Sequence, residues 1–259
     1  MNRRSSDRRS ASALWLYGLH AVHAALENPR RKLHRALLTD HAAAMIGQRP
    51  IARVEHQVVA AEAVARVVPP GAVHQGAALL CEPLPRLGLD EVLRAHSHGA
   101  RTVTILDQIS DPHNVGAILR SAAAFGVSAV IVQDRHAAAQ TGALGKAASG
   151  ALDIVPYVEV VNIARTLEEL GRAGFWRLAL TGDGEQPIRT SVPDGDVVLV
   201  LGSEGTGLRR LVRERCDAGV FIPIDHAMES LNVSVAAAIA FYELNGRTVQ
   251  RNPPAGLSL

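Results

Sequence analysis

The sequence predicts a mostly parallel α/β sheet domain preceded by a smaller α/β module, and three observations carry that prediction. Beyond Arg101, apolar strand-like runs alternate with helical stretches, the pattern of a parallel sheet covered on both faces. Val197, Val198, Leu199, Val200 and Leu201 form an unbroken apolar run, as a strand buried on both sides requires. Three strand ends in this half then feed polar loops rich in Gly, Asn, Ser and Glu, over residues 107–120, 201–210 and 222–235, and each loop opens a helix. Open α/β sheets bind ligands at such strand ends, so three such loops in one domain point to one composite site.

In chain order, residues 1–12 are polar, charged and without periodicity, and read as a disordered basic tail. The module over 13–81 alternates short elements: a helix over 18–26, a strand or helix end over 33–38, strands over 54–59 and 77–81, and a helix over 60–67 stopped by Pro69, Pro70 and Gly71. Residues 82–100, with Pro83, Pro85, Gly88 and Gly99, read as a linker carrying one helical turn near 91–95. The domain over 101–250 runs strand 103–107, helix 114–125, strand 129–132, a helical stretch near 144–148, strand 153–156 and helix 163–172. Strands 176–180 and 197–202, helix 208–216, strand 220–222 and helix 231–244 complete it. No solenoid or propeller spacing is present.

At 259 residues the chain can bury a core in each part. Hydrophobic residues make up 47% of it, yet no run of eighteen lacks charge, so no membrane span is expected. Cys81 and Cys216 have no metal-type spacing and read as ordinary thiols of a reducing, cytoplasmic compartment. His20 with His23, and His96 with His98, lack the further ligands a metal site needs, so none is expected. The Arg- and Ser-rich start has transit-peptide composition, but residues 13–26 carry two histidines and flow into folded-looking sequence without a cleavage site. Net charge is only +2, yet Arg30, Arg31, Lys32 and Arg35 crowd together behind the arginines of the tail, as a face toward a polyanion would.

In the first loop Pro112 restricts Asp111 to extended backbone and places Asn114 where a helix cap would stand, with Arg120 further along the helix. Taken singly, Asn114 is a plain cap and Arg120 half of a surface ion pair. The second loop is Gly202-Ser203-Glu204-Gly205-Thr206-Gly207. It is not a phosphate loop: Leu208 and Arg209 stand where Lys and Ser or Thr belong, the Gly spacing reverses the dinucleotide fingerprint, and Glu204 repels phosphate. A cationic ligand, or one held by adenosine and amino-acid parts, suits it better. In the third loop Ser230 is the expected helix cap, with Asn232 and Ser234 in the first turn among free backbone N–H groups. The small residues over 233–240 allow close packing against another backbone, within the domain or across a dimer.

Together these segments resemble the SpoU (TrmH) family of RNA ribose 2′-O-methyltransferases, of the SPOUT class. Its Asn-x-Gly followed by Arg matches Asn114, Gly116 and Arg120, and its Gly-Ser-Glu-Gly-x-Gly matches Gly202 to Gly207. Its Ile-Pro-Met followed by Ser-Leu-Asn-Val-Ser matches Ile222 to Ser234, with Ile224 in place of Met and Asp225-His226-Ala227 where a Gly is usual. Gly18-Leu19-His20-Ala21-Val22, His74-Gln75-Gly76 and the small module look like members that methylate a guanosine of large-subunit (23S) ribosomal RNA.

The resemblance implies a C-terminal SPOUT domain with a parallel sheet and a deep trefoil knot, and a ribosomal-protein-like N-terminal RNA-binding domain. It also implies a homodimer with the site near the interface, and S-adenosyl-L-methionine as methyl donor without a metal. Arg120 would be the catalytic group, with Asn114, Glu204, Ser230 and Asn232 placing it and the ribose. Gly202, Ser203, Gly207, Ile222 and Leu231 would hold the donor. Aromatic residues total only 3%, so stacking platforms are scarce, and Arg30, Arg31, Lys32 and Arg35 are expected to contact the RNA backbone. The same chemistry on transfer RNA, or a non-catalytic ribosome-assembly factor, are the alternatives. The two-domain layout favours ribosomal RNA, and the intact Asn114, Arg120, Glu204 and Asn232 favour an enzyme.

Overall fold

The computed structural model describes residues 13–94, 99–191, 194–225 and 227–245. The expected tail over 1–12 and the pair His96 and His98 lie outside the described residues. In chain order the elements are β1 (Leu14–Tyr17), α1 (Leu19–Glu27), β2 (Leu33–Leu38), α2 (Asp40–Ile46), α3 (Gln48–Ile51), β3 (Glu55–Val58), α4 (Ala61–Ala65) and β4 (Ala77–Cys81). There follow α5 (Leu89–Arg94), β5 (Thr102–Asp107), α6 (Pro112–Ala124), β6 (Ala129–Gln133), α7 (Gly142–Ala147), β7 (Tyr157–Val160) and α8 (Ile163–Arg172). The chain continues through β8 (Trp176–Leu180), β9 (Gln186–Pro187), β10 (Val197–Gly202), α9 (Arg210–Arg213), β11 (Ala218–Phe221) and α10 (Val233–Asn245). Among the described residues, no helix is long and apolar enough to cross a membrane.

The first compact unit comprises the chain to Pro85 together with Ala139–Asp153. Its sheet has the order β1-β4-β2-β3, antiparallel except for the β2–β3 pair. Because side chains alternate along a strand, Leu16, Ala36, Leu38, Ala77, Leu79 and Cys81 share one face, which Val22, Leu26, Ala42, Ile46 and Ile51 of α1 to α3 cover. Tyr17, Leu37 and Ala78 point to the other face, where Val64 of α4 and Val68 pack on them. The strand Leu14–Tyr17 was not separable in sequence from the apolar stretch that continues into α1.

Residues 139–153 overturn the expected domain division, because strand and helix alternation alone assigns them to the second domain. In α7, Gly142 lies so close to β1 that an added Cβ would come within 2.3 Å of the Trp15 carbonyl oxygen, so only glycine allows this approach. At the end of the excursion the guanidinium of Arg31, side chain wholly buried, forks onto Asp153 through Nε at 2.9 Å and Nη2 at 2.7 Å. Asn28 Nδ2 donates to Asp153 Oδ1 at 3.0 Å. Arg31 is therefore a structural cation rather than an RNA contact. The same network explains the missing strand over 153–156: Asp153 closes a 3-10 turn, Ala151–Asp153, and the strand begins only at Tyr157. The expected linker also dissolves into the two units. Leu84 N donates to Gln140 Oε1 within the first, while Val92 of α5 is buried in the core of the second.

The second unit, Arg86–Ala138 with Ile154 onward, is a seven-stranded, wholly parallel sheet of order β7-β6-β5-β10-β8-β11-β9. The chain lays β5, β6 and β7 outward, crosses to β8, and later inserts β10 between β5 and β8 and β11 between β8 and β9. Central strands β5 and β10 are buried almost throughout, as their apolar runs require. The helix expected over 208–216 shrinks to the single turn Arg210–Arg213. Helix α10 packs along α6 and ends with Asn245 Oδ1 accepting from Thr102 Oγ1 at 2.8 Å, back at the start of β5.

Breaking the Arg31 fork leaves a buried charge without its partner, which costs ~3 kcal/mol or more. Asp153→Ala is therefore expected to lower the thermal midpoint by several degrees, read by circular dichroism. Burial is the main reason the Cys81 thiol is pushed up to about 11. The neutral thiol stabilises the fold fully below its ordinary value near 9, and that contribution is lost as the pH rises through 11. Iodoacetamide at about pH 8 is expected to modify Cys81 in urea but not in the native protein.

Candidate active site at the strand ends

Asp107 closes β5 and is fully buried. Its carboxylate accepts from the backbone N of Arg209 at 3.0 Å and from Nε of the same residue at 2.7 Å, a charge-assisted fork that ties the start of the first loop to the end of the second. Gln108 then takes φ 62°, an uncommon conformation for a residue with a Cβ, and turns the chain off the sheet. Asp111, not Asn114, caps α6: its carboxylate accepts from His113 N at 3.4 Å and Asn114 N at 3.1 Å, with Pro112 supplying a first turn that needs no donor. Released from capping, the Asn114 amide is free to face the other loops.

The second loop folds back on itself. Gly207 N donates to Ser203 O at 2.9 Å, and the Ser203 and Thr206 hydroxyls meet at 2.7 Å. An added Cβ on Gly202 would come within 2.4 Å of the Gly207 carbonyl carbon, so the two glycines let opposite sides of the loop touch through backbone alone. This hairpin holds Glu204 at its tip.

The third loop delivers Asn232, which caps α10 in place of the expected Ser230. Asn232 Oδ1 accepts from Ser234 N at 2.9 Å and Ser234 Oγ at 2.6 Å. Its Nδ2 donates to Glu204 Oε1 at 2.7 Å and to Asn114 Oδ1 at 3.0 Å. Glu204 Oε1 also accepts from Val233 N at 3.2 Å, a carboxylate at a helix N-terminus. One asparagine side chain thus joins all three loops.

Two clefts flank this junction. The larger, about 720 Å³, is lined by Gly202, Ser203, Glu204, Gly207, Ser230, Leu231 and Asn232, together with Leu180, Thr181, Gly182, Asp183 and Arg213. The smaller, about 180 Å³, lies between the first two loops and includes Asn114, Ser203 and Glu204. Two expected site residues stand apart. Ile222, half-buried after β11, lines neither cleft, and nor does Arg120, exposed on α6. Among the described residues no hydrogen bond or ion pair engages the Arg120 side chain.

Sequence reasoning missed the loop after β8 and the Asp107 and Arg209 fork. The loop had a signal, Thr181-Gly182-Asp183-Gly184 directly after an apolar strand. Arg213 donates to Asp183 at 2.8 Å and holds that carboxyl below its usual range. The fork had none, since Asp107 and Arg209 lie 102 positions apart.

In the first unit, Arg30 is exposed, Lys32 pairs with Glu82 at 2.6 Å, and the Arg35 guanidinium lies 5.4 Å from the Trp15 ring centroid.

Arg209→Ala would leave the Asp107 carboxylate buried and unpaired. Loss of about 3 kcal/mol in urea unfolding is expected, against under about 1 kcal/mol for Arg210→Ala, whose partner Glu214 is exposed.

The profile of the SpoU rRNA Methylase family matches residues 101–242, the stretch that contains all three loops. The chain belongs to that family. A second profile, RNA 2′-O ribose methyltransferase substrate binding, matches residues 15–87 of this SpoU protein. The 23S rRNA (guanosine-2′-O-)-methyltransferase RlmB of Pseudomonas syringae pv. tomato is 37% identical over 92% of this chain and 98% of its own length. RlmB of Coxiella burnetii is 43% identical over 70% of this chain and 72% of its own. Among solved structures, the SpoU methyltransferase AviRb of Streptomyces viridochromogenes, in complex with AdoMet, superposes with TM-score 0.75 at 21% identity, covering 95% of this chain and 94% of AviRb. The A. aeolicus TrmH/SpoU tRNA modifying enzyme reaches 0.52 at 28% identity over 61% of this chain and 79% of its own. The expected α/β architecture with a parallel sheet is thus the family's.

Proposed function

We propose that this SpoU protein transfers a methyl group from S-adenosyl-L-methionine to a ribose 2′-hydroxyl of RNA, in a guanosine of large-subunit ribosomal RNA. The observation that carries the chemistry is the junction of Asn114, Glu204 and Asn232 beside a cleft of ligand size. About 720 Å³ lies within the ~300–1,000 Å³ usual for small-molecule sites. Its apolar walls, Leu180, Leu208 and Leu231, suit an adenosine, and its glycines expose backbone for hydrogen bonding. Glu204, Asp183 and Glu229 line it against one cation, Arg213, a balance that favours a sulfonium and an ammonium over a triphosphate.

When bound, the donor would supply an electrophilic methyl and leave as the neutral thioether, and the proton lost from the 2′-hydroxyl would pass to solvent. A guanidinium is a poor base, so proton abstraction is not assigned to Arg120. It stabilises the developing alkoxide instead, with a substrate phosphate as a second partner. Ser230, Asn114 and Asn232 place the ribose. Glu204 sets Asn232 and the start of α10 through one oxygen, so its part is positioning.

The exposed, unengaged Arg120, which lines neither cleft, supports a homodimer in which α6 and α10 lie near a two-fold axis. Tyr242, 61% exposed on α10 and 5.9 Å edge-on from Phe125, and Val235 on the same helix would be covered there. Insertion of β10 and β11 between strands already laid supports the knotted threading. Coverage of nearly the whole chain by the Pseudomonas RlmB, N-terminal unit included, favours ribosomal over transfer RNA. The reading places the protein in the cytoplasm, where that RNA is made.

Incubation with labelled donor and RNA from a strain lacking the protein should put the label on one 2′-O-methylated guanosine of large-subunit RNA. No incorporation into any RNA would sink the enzyme reading. Arg120→Ala is expected to lower kcat at least about 100-fold with the donor Kd unchanged in calorimetry, and Arg120→Lys to recover little of it. Near-normal turnover of the lysine variant would remove Arg120 from the chemistry.

A further inference from the structure

The first unit's sheet has one covered face and one half-open face, and the open half carries a paired aromatic and cation. Val64 of α4 and Val68 cover Tyr17, Leu37 and Ala78 on that face, and Trp15, half-buried, packs against the edge of this cluster. From Trp15 outward, the strand registers place Leu80, Arg35 and Glu55 in the same cross-strand row, since Trp15 and Arg35 both pair with Leu80 and Arg35 with Glu55. The Arg35 guanidinium lies 5.4 Å from the Trp15 ring centroid, within cation–π range. It is exposed, and among the described residues no carboxylate neutralises it. Arg30, Arg49 and Arg66 of the same unit likewise have no acidic partner among the described residues, in contrast to Arg31, which Asp153 neutralises. Glu55 stands in the row itself, opposite Arg35, and Glu82 is engaged by Lys32 at 2.6 Å and faced by His34 at 3.6 Å.

We infer that Trp15 and Arg35 form a stacking platform that seats one unpaired base of the RNA substrate. The inference rests on the RNA reading of this protein and adds to it a base contact, where cations alone offer only backbone contacts. The physical reason is preorganisation. An arginine already lying over an indole has given up its side-chain freedom and presents a planar, weakly hydrated cation, whose outer face stacks on any base while its N–H groups reach phosphate. Register favours the same role, because the row crosses all four strands and its Arg35 and Glu55 end is exposed, which leaves room for a base beside the guanidinium. The backbone-only binding expected from the scarcity of aromatics gives way here at one position.

The test uses the full-length protein carrying Trp176→Phe, which leaves Trp15 as the one indole of the two in the sequence. The probe is a hairpin RNA with 5-bromouridine in its loop. Binding should quench Trp15 emission, and irradiation should cross-link the loop to the peptide containing Trp15. Trp15→Leu and Arg35→Gln should each weaken hairpin binding about tenfold, in keeping with base stacking, and a fully paired duplex should show little change. Arg35→Lys is the decisive variant, since it keeps the charge at an exposed position and loses the planar fork. Affinity restored to the original by lysine, or Trp15 emission unmoved by saturating RNA, would overturn the platform, and a face used for a protein partner instead would give that result. Donor binding and methyl transfer by the unaltered protein are measured separately, so failure of the methyltransferase reading would show there and not in the quenching.

Discussion

The carboxylate of Asp107 sits where the loops that follow β5 and β10, neighbouring parallel strands, leave the sheet. Strand β10 enters late, between β5 and β8, so its loop and the loop after β5 leave the sheet side by side. Neighbouring loops of glycine, serine and asparagine have little apolar surface with which to fix one another. A buried carboxylate that takes both the backbone and the side chain of Arg209 fixes them electrostatically, with the carboxylate itself out of water and the guanidinium only partly covered. With that end of the second loop held, the hairpin between Gly202 and Gly207 closes on its own backbone, and Glu204 is left within reach of Asn232. The junction at the clefts thus depends on an interaction made one turn of chain away from it.

The same economy appears at Asn232. A helix needs a cap, and the asparagine oxygen provides it to Ser234, which leaves the amide nitrogen pointing outward with two donors to place. It spends both on the other loops. Asp111 does the corresponding service for α6, and so releases Asn114 to receive one of those bonds. Each of the two helices is capped by one residue whose work makes a second available to the site.

Much of this was legible in the residues. The parallel sheet followed from the apolar runs, and the three loops from their glycines and from the polar residues that follow strand ends. Caps were misplaced by two or three residues at both helices because Asp111, Asn114, Ser230 and Asn232 are all good caps, and only the fold decides which backbone N–H groups each one meets. The excursion over 139–153 was illegible for a different reason. Its small residues read as a helix of the second domain until a partner surface is known, and the partner is β1, more than a hundred residues earlier. The cation cluster misled in the same way: Arg31 looks like Arg30 and Lys32 in sequence, and only Asp153, 122 positions on, makes it a buried residue.

That excursion alters what the N-terminal unit is. A module joined by a single linker can be removed without consequence for the rest. Here the chain passes between the units at Pro85, again at Ala138 and again at Asp153, so the first unit is closed by residues lying between β6 and β7 of the second. Removing the chain before β5 would strip Gly142 and Gly145 of the strand they pack on and leave the Asp153 carboxylate without Arg31. Loss of methyl transfer in such a truncation would therefore say little about RNA recognition. Single exposed side chains of the first unit, Arg35 foremost, separate recognition from folding because nothing in the core depends on them.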